Sequence, residues 1–114
     1  METKNAMRAL VALAQESRLA IYRLLVAAGP AGIAAGAIAE QLDVVPATLS
    51  FHLAQLSNAG LIKPRQEGRF IYYSADFDAM NALIGFLTEN CCGGNPCGPQ
   101  KVMCAPVQKK GIRK

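Results

Sequence analysis

A chain of 114 residues, 52% of them apolar, has material for one core and excludes disorder throughout. No apolar run approaches the roughly 18 residues of a bilayer-crossing helix, and residues 1–8 lack the charged-then-apolar pattern of a signal peptide. A cytoplasmic protein with no membrane partner is expected. The net charge of +4 hints at nucleic acid, but residues 91–114 hold five bases and no acid while residues 1–90 hold seven bases against eight acids, so DNA binding must be argued from placement.

Over residues 6–14, Leu10, Leu13 and Ala14 recur at helical spacing and predict a first helix. A second is expected after Ser17 as N-cap, with Leu19, Tyr22, Leu24, Leu25 and Val26 among its apolar members. Gly29-Pro30 stops it, since glycine permits a left-handed cap and proline cannot continue the ladder. A short loop through Gly32 leads to a helix over Ala35–Leu42 with Ile38, Ala39 and Leu42 on one face.

Asp43-Val44-Val45 and a new start at Pro46 give two helices three residues apart, the spacing of a helix-turn-helix. Asp43 falls where the turn asks for positive φ. In the following helix Leu49, Leu53 and Leu56 must face the core, which turns Ala47, Thr48, Phe51, Gln55 and Asn58 outward. Ala59-Gly60-Leu61 reads as a Schellman ending.

Residues 61–65 and 70–74 are strand-like and joined across residues 66–69 with Gly68 as the turn residue, a hairpin that forms a wing; Pro64 confines its first strand to an edge. A last helix over residues 78–89 carries Met80, Leu83, Ile84 and Leu87, more apolar surface than a small domain hides alone, and with the first helix it suits a dimer interface. The expected fold is mainly α (α+β): a winged helix-turn-helix of about five helices and one hairpin, dimerising through its first and last helices. Residues 1–90 form this domain, and residues 91–114 are a flexible tail of Cys, Gly and Lys.

The order of elements resembles the ArsR/SmtB family of metalloregulatory repressors over roughly residues 8–90. The resemblance is carried by Ser17-Arg18-Leu19-Ala20-Ile21, Ile38-Ala39-Glu40-Gln41-Leu42, Ala47-Thr48-Leu49-Ser50-Phe51-His52-Leu53, Leu56, Ala59-Gly60-Leu61-Ile62 and Glu67-Gly68-Arg69-Phe70-Ile71-Tyr72-Tyr73. It implies a homodimer on double-stranded operator DNA. A helix entering the major groove needs short polar groups, and Thr48, Ser50 and Gln55 suit this, while Phe51 matches a thymine methyl. His52 resembles the family histidine at the same position and is expected to contact DNA; a half-buried histidine satisfied by a neighbour is the equal alternative. In the wing, Arg69 is expected to hold a phosphate or the minor groove, whereas Lys63 and Arg65 read as solvated. Val45 and Pro46 depart from the family pattern, where a capping Ser and a Gln are common.

The four cysteines fall in one stretch, and Gly93-Gly94 lets Cys91, Cys92 and Cys97 converge. Three thiolates without histidine or carboxylate suit a thiophilic ion such as trivalent arsenic or antimony; Cys104 as a fourth sulfur would suit zinc or cadmium instead. Residues 33–39 lack the cysteine pair of many arsenic repressors, and Asp76 and Asp78 lack the histidine partners of the zinc sensors. The chain resembles instead the arsenic repressors whose vicinal cysteines follow the dimerisation helix, which implies Cys91, Cys92 and Cys97 as ligands and leaves Cys104 unassigned. Arsenite or antimonite would act as inducer, with no cofactor needed for DNA binding and no organic substrate. A thiol redox or sulfur sensor of the same fold is the alternative. An enzyme is not expected, because no Cys-x-x-Cys and no helix N-terminus activate a thiol and His52 lies in the reading helix.

Overall fold

Alanines decide how the N-terminal helix docks. In the computed structural model, which describes residues 1–94, α1 (Thr3–Leu13) buries Ala6, Ala9 and Ala12, one side of the helix made of side chains short enough for close approach. That edge meets α2 (Glu16–Ala28), and Leu10, expected among the apolar markers of the first helix, is 41% exposed instead. α2 contributes Ile21, Tyr22 and Leu25 to the core, while Leu19 stays exposed. Its N-cap is not Ser17 as expected but Gln15, whose Oε1 accepts from the Arg18 N–H at 2.8 Å. A longer amide reaches the first turn as well as a serine does, so the helix begins earlier.

The helix-turn-helix follows as its sequence requires: α3 (Ala35–Leu42) and α4 (Pro46–Asn58) keep the expected bounds, and Pro46 occupies the first turn of α4, where its missing N–H costs nothing. Asp43 adopts φ 54°, ψ 50°, and around it the Val44 N–H donates to Ala39 O at 3.0 Å and the Asp43 N–H to Glu40 O at 3.4 Å. This is a Schellman closure with aspartate in the glycine position. The same pattern ends α4, where Leu61 N–H donates to Leu56 O at 3.1 Å and Gly60 N–H to Ser57 O at 2.9 Å.

The sheet is larger than the hairpin expected. β1 (Ile33–Ala34) precedes α3, and the order is β1-β3-β2 with β2 (Ile62–Glu67) and β3 (Phe70–Ala75), all antiparallel. Two residues are too few for alternation to register in sequence, but Gly32 marks the strand: it holds φ +77°, and a Cβ there would lie 2.5 Å from Tyr73 O. β2 is an edge, so Pro64 opposite Tyr73 is tolerated. The register Glu67↔Phe70 shortens the expected turn to Gly68-Arg69, with Gly68 at φ +61°.

α5 (Phe77–Leu87) starts one residue earlier than expected because Asp76 caps it, Oδ1 accepting from Ala79 N–H at 3.0 Å. It buries Leu83 and leaves Ile84 and Leu87 exposed, as α1 leaves Met7, Leu10 and Val11. The one buried side-chain oxygen without a partner among the described residues is the Tyr22 hydroxyl; burial, and secondarily the Asp76 carboxylate, raise its pKa above 10. A turn over Cys91–Gly94 closes the described chain. Among the described residues no helix is long and apolar enough to cross a membrane.

Candidate nucleic-acid interface

α4 is a helix with two unlike sides. Leu49, Leu53 and Leu56 lie inside, and Thr48, Ser50, Phe51 and Gln55 are all exposed on the other side, with Phe51 56% open. An exposed phenylalanine among short polar groups, on a helix whose opposite side is anchored at 3% exposure or less, is a surface shaped to meet a partner. Val45, the N-cap residue, gives no side-chain acceptor to the first turn.

His52 lies on the inner side of α4, as the neighbour-satisfied alternative describes. It is 7% exposed, and its Nδ1 accepts from Arg18 Nη1 at 3.3 Å, while Arg18 Nε donates to Ala12 O at 2.7 Å. A guanidinium is a donor only, so Nδ1 is the acceptor in this bond. The imidazole thus braces α4 against α1 and α2, the neighbour-satisfied alternative, and Phe51 packs edgewise against it with ring centroids 5.8 Å apart. Sequence offered no sign of Arg18 as the partner, since the two residues are 34 positions apart.

In the wing, Arg65 is engaged within the hairpin: Nε donates to Glu67 Oε2 at 2.8 Å, and its guanidinium carbon lies 5.1 Å from the Tyr72 ring centroid. Arg69 stands exposed in the two-residue turn with no partner among the described residues. Arg65 is thus held within the hairpin, whereas Arg69 is not. On the far side of α4, Lys4 and Arg8 of α1 face Gln55 and Asn58 across a cleft of about 330 Å³, a feature that residue pattern did not reveal.

A helix-turn-helix between two basic flanks is the apparatus of a transcription factor, and the comparisons agree. The family model described as a helix-turn-helix domain matches residues 13–65, from the end of α1 into β2. The transcriptional activator HlyU of Vibrio cholerae is 30% identical over 81% of this chain and 85% of its own length. Its structure superposes with a TM-score of 0.63, covering 81% of this chain and 99% of HlyU. A homodimeric winged helix-turn-helix DNA-binding domain of Mycobacterium bovis, described as a possible ArsR-family regulator, is 32% identical and covers 76% of this chain and 81% of its own, with a TM-score of 0.61. This chain belongs to the ArsR family of winged helix-turn-helix transcriptional regulators. A third structure, described as a possible transcriptional regulator for arsenical resistance, is 29% identical, with a TM-score of 0.60 over 69% of this chain and 79% of that one. As an ArsR-family member the protein is a DNA-binding regulator and not an enzyme.

The cysteines stand apart from the reading helix. Cys91 is exposed with a free thiol, and its Sγ lies 3.7 Å from that of Cys92, which is disulfide-bonded. Cys92 takes φ 55° and Gly93 φ 67°, so the chain reverses directly after α5, as Gly93 was expected to permit. Cys97 and Cys104 lie outside the described residues, and among the described residues no three His, Cys, Asp or Glu side chains gather to hold a metal.

Proposed function

We propose that this ArsR-family member is a homodimeric repressor that holds operator DNA through the outer side of α4 and Arg69, and releases it when trivalent arsenic or antimony is captured by Cys91, Cys92 and Cys97. The observation that carries the proposal is the pair Cys91-Cys92, sulfurs 3.7 Å apart, on a chain reversal directly after α5. α5 leaves Ile84 and Leu87 exposed and α1 leaves Leu10 exposed, an apolar area suited to a second copy, and a homodimer is what the Mycobacterium neighbour forms. Once a thiol reductant has supplied two electrons and two protons to open the disulfide at Cys92, arsenous acid condenses with three thiols, forming three As–S bonds and releasing three waters. Closure of that ring at the end of α5 would tilt the dimer helix and change the spacing of the two reading helices. A neighbour of the same fold is described as a possible transcriptional regulator for arsenical resistance, which supports an arsenical as the effector.

Operator binding of the reduced protein, with and without arsenite, tests it in wild type and in Cys91→Ser, Cys92→Ser, Cys97→Ser and Cys104→Ser. Release is expected to cost roughly 5- to 150-fold in affinity. It should vanish in the first three variants and persist in the fourth. Release that survives in Cys92→Ser defeats the proposed ligand set.

A second reading is supported by the disulfide at Cys92: a redox regulator in which two thiols lose two hydrogens to an oxidant and close the same segment without a metalloid. One solved structure of the neighbour HlyU is described as reduced. Intact mass separates the two readings, since arsenic adds a metalloid atom and oxidation only removes two hydrogens.

A further inference from the structure

The folded body is close to neutral, yet a DNA-binding protein needs cations where phosphates run. Beside α4 they are divided into two groups. At one end the wing supplies Lys63 and Arg69, Arg65 being paired with Glu67. At the other end, Lys4 and Arg8 stand one helical turn apart on the same side of α1 and line the cleft of about 330 Å³ opposite Gln55 and Asn58. No carboxylate lines this cleft, and neither Lys4 nor Arg8 has an ion-pair or hydrogen-bond partner among the described residues. Like charges at this spacing repel unless an anion lies between them. Gln55 and Asn58 belong both to the exposed side of α4 and to the lining of this cleft, whose other members are Met7, Val11, Ala12, Arg18 and Ala59.

We infer that the α1–α4 cleft is a phosphate-binding site for the DNA backbone, with Lys4 and Arg8 as the charged contacts and Asn58 as a neutral donor. It rests on the reading of α4's outer side as groove-facing, and it assigns α1 a part in DNA binding besides its part in the dimer. Arg18, at the inner wall, is engaged by Ala12 and His52 and holds that wall in place. The contact carries no base information, so it acts equally on any duplex.

The experiment is a salt titration of duplex binding by the full, reduced chain and by a Lys4→Gln/Arg8→Gln variant, on operator and on scrambled duplex. Each lost phosphate contact lowers the slope of log K against log salt by about 0.9. The fall in affinity between about 50 and 200 mM salt should then shrink by about 12-fold per bound protomer, with the ratio of operator to scrambled affinity unchanged. Lys4→Arg/Arg8→Lys should keep the wild-type slope. An unchanged slope in the glutamine variant overturns the inference, and so does equal loss in the charge-conserving variant, which would point to packing. Inorganic phosphate protecting the wild type but not the glutamine variant against thermal unfolding, with an unchanged DNA slope, would make this a free-anion site and likewise overturn it. Failure of the groove-facing reading looks different: Thr48→Ala/Gln55→Ala would then leave the operator-to-scrambled ratio intact.

Discussion

The reading unit and the cysteine segment are built on opposite terms. α4 is fixed by Leu49, Leu53 and Leu56, by a Schellman closure at its end, and by His52 bonded to Arg18. Residues 87–93, by contrast, are exposed one after another, and two of them after Asn90 take positive φ. The surface proposed to meet DNA is therefore backed by a packed core, while the segment proposed to sense the effector has little packing to lose. Local stability follows buried contacts, so a regulator places its response where rearrangement is cheap and its specificity where it is not.

Substitutions in the two regions should differ in stability by an order of magnitude. Leu56, fully buried, is the largest case: Leu56→Ala should cost about 2–5 kcal/mol by denaturant unfolding and weaken operator binding with it. Gly32→Ala should cost at least about 2 kcal/mol, because positive φ and the 2.5 Å approach to Tyr73 O both resist a Cβ, and it should loosen β1 from the wing strand. Tyr22→Phe goes the other way. Removing a buried hydroxyl without a partner should stabilise by about 1 kcal/mol. The pH dependence has a definite sign, since the folded state holds the phenol's pKa above 10 and so binds the proton more tightly than the unfolded chain. Stability is thus full below pH 10 and lost as pH rises through the folded value; thermal melts of Tyr22→Phe should lack that alkaline loss. Cys91→Ser, at the exposed end, should change unfolding free energy by less than about 0.5 kcal/mol. A large loss there would show that the cysteine segment is packed after all, and the contrast would fail.

What residue pattern revealed follows the same division. α3 and α4 were legible because Asp43, Pro46, the leucine stripe and Gly60 are local signals whose meaning needs no distant partner. β1 was not, since a strand of two residues is defined by β3 and by the close approach at Gly32. The burial of His52 and the α1–α4 cleft escaped for the same reason, since each depends on which helix lies across from it, whereas the cap at Gln15 is local and was hidden by Ser17, a commoner capping residue two positions on. Of the expected site, Thr48, Ser50, Phe51, Gln55 and Arg69 are exposed around the reading helix, His52 is not, and Cys97 and Cys104 lie outside the described residues.

Arg18 also joins parts of the chain that are far apart in sequence. Its bond to Ala12 spans six residues and closes as soon as α1 and α2 meet, whereas its bond to His52 spans 34 and must wait for α4 to dock. The first contact holds the guanidinium in place, so less side-chain freedom is lost when the second forms. One guanidinium thereby ties α1, α2 and the reading helix together, so a change at Arg18 is felt by all three helices at once.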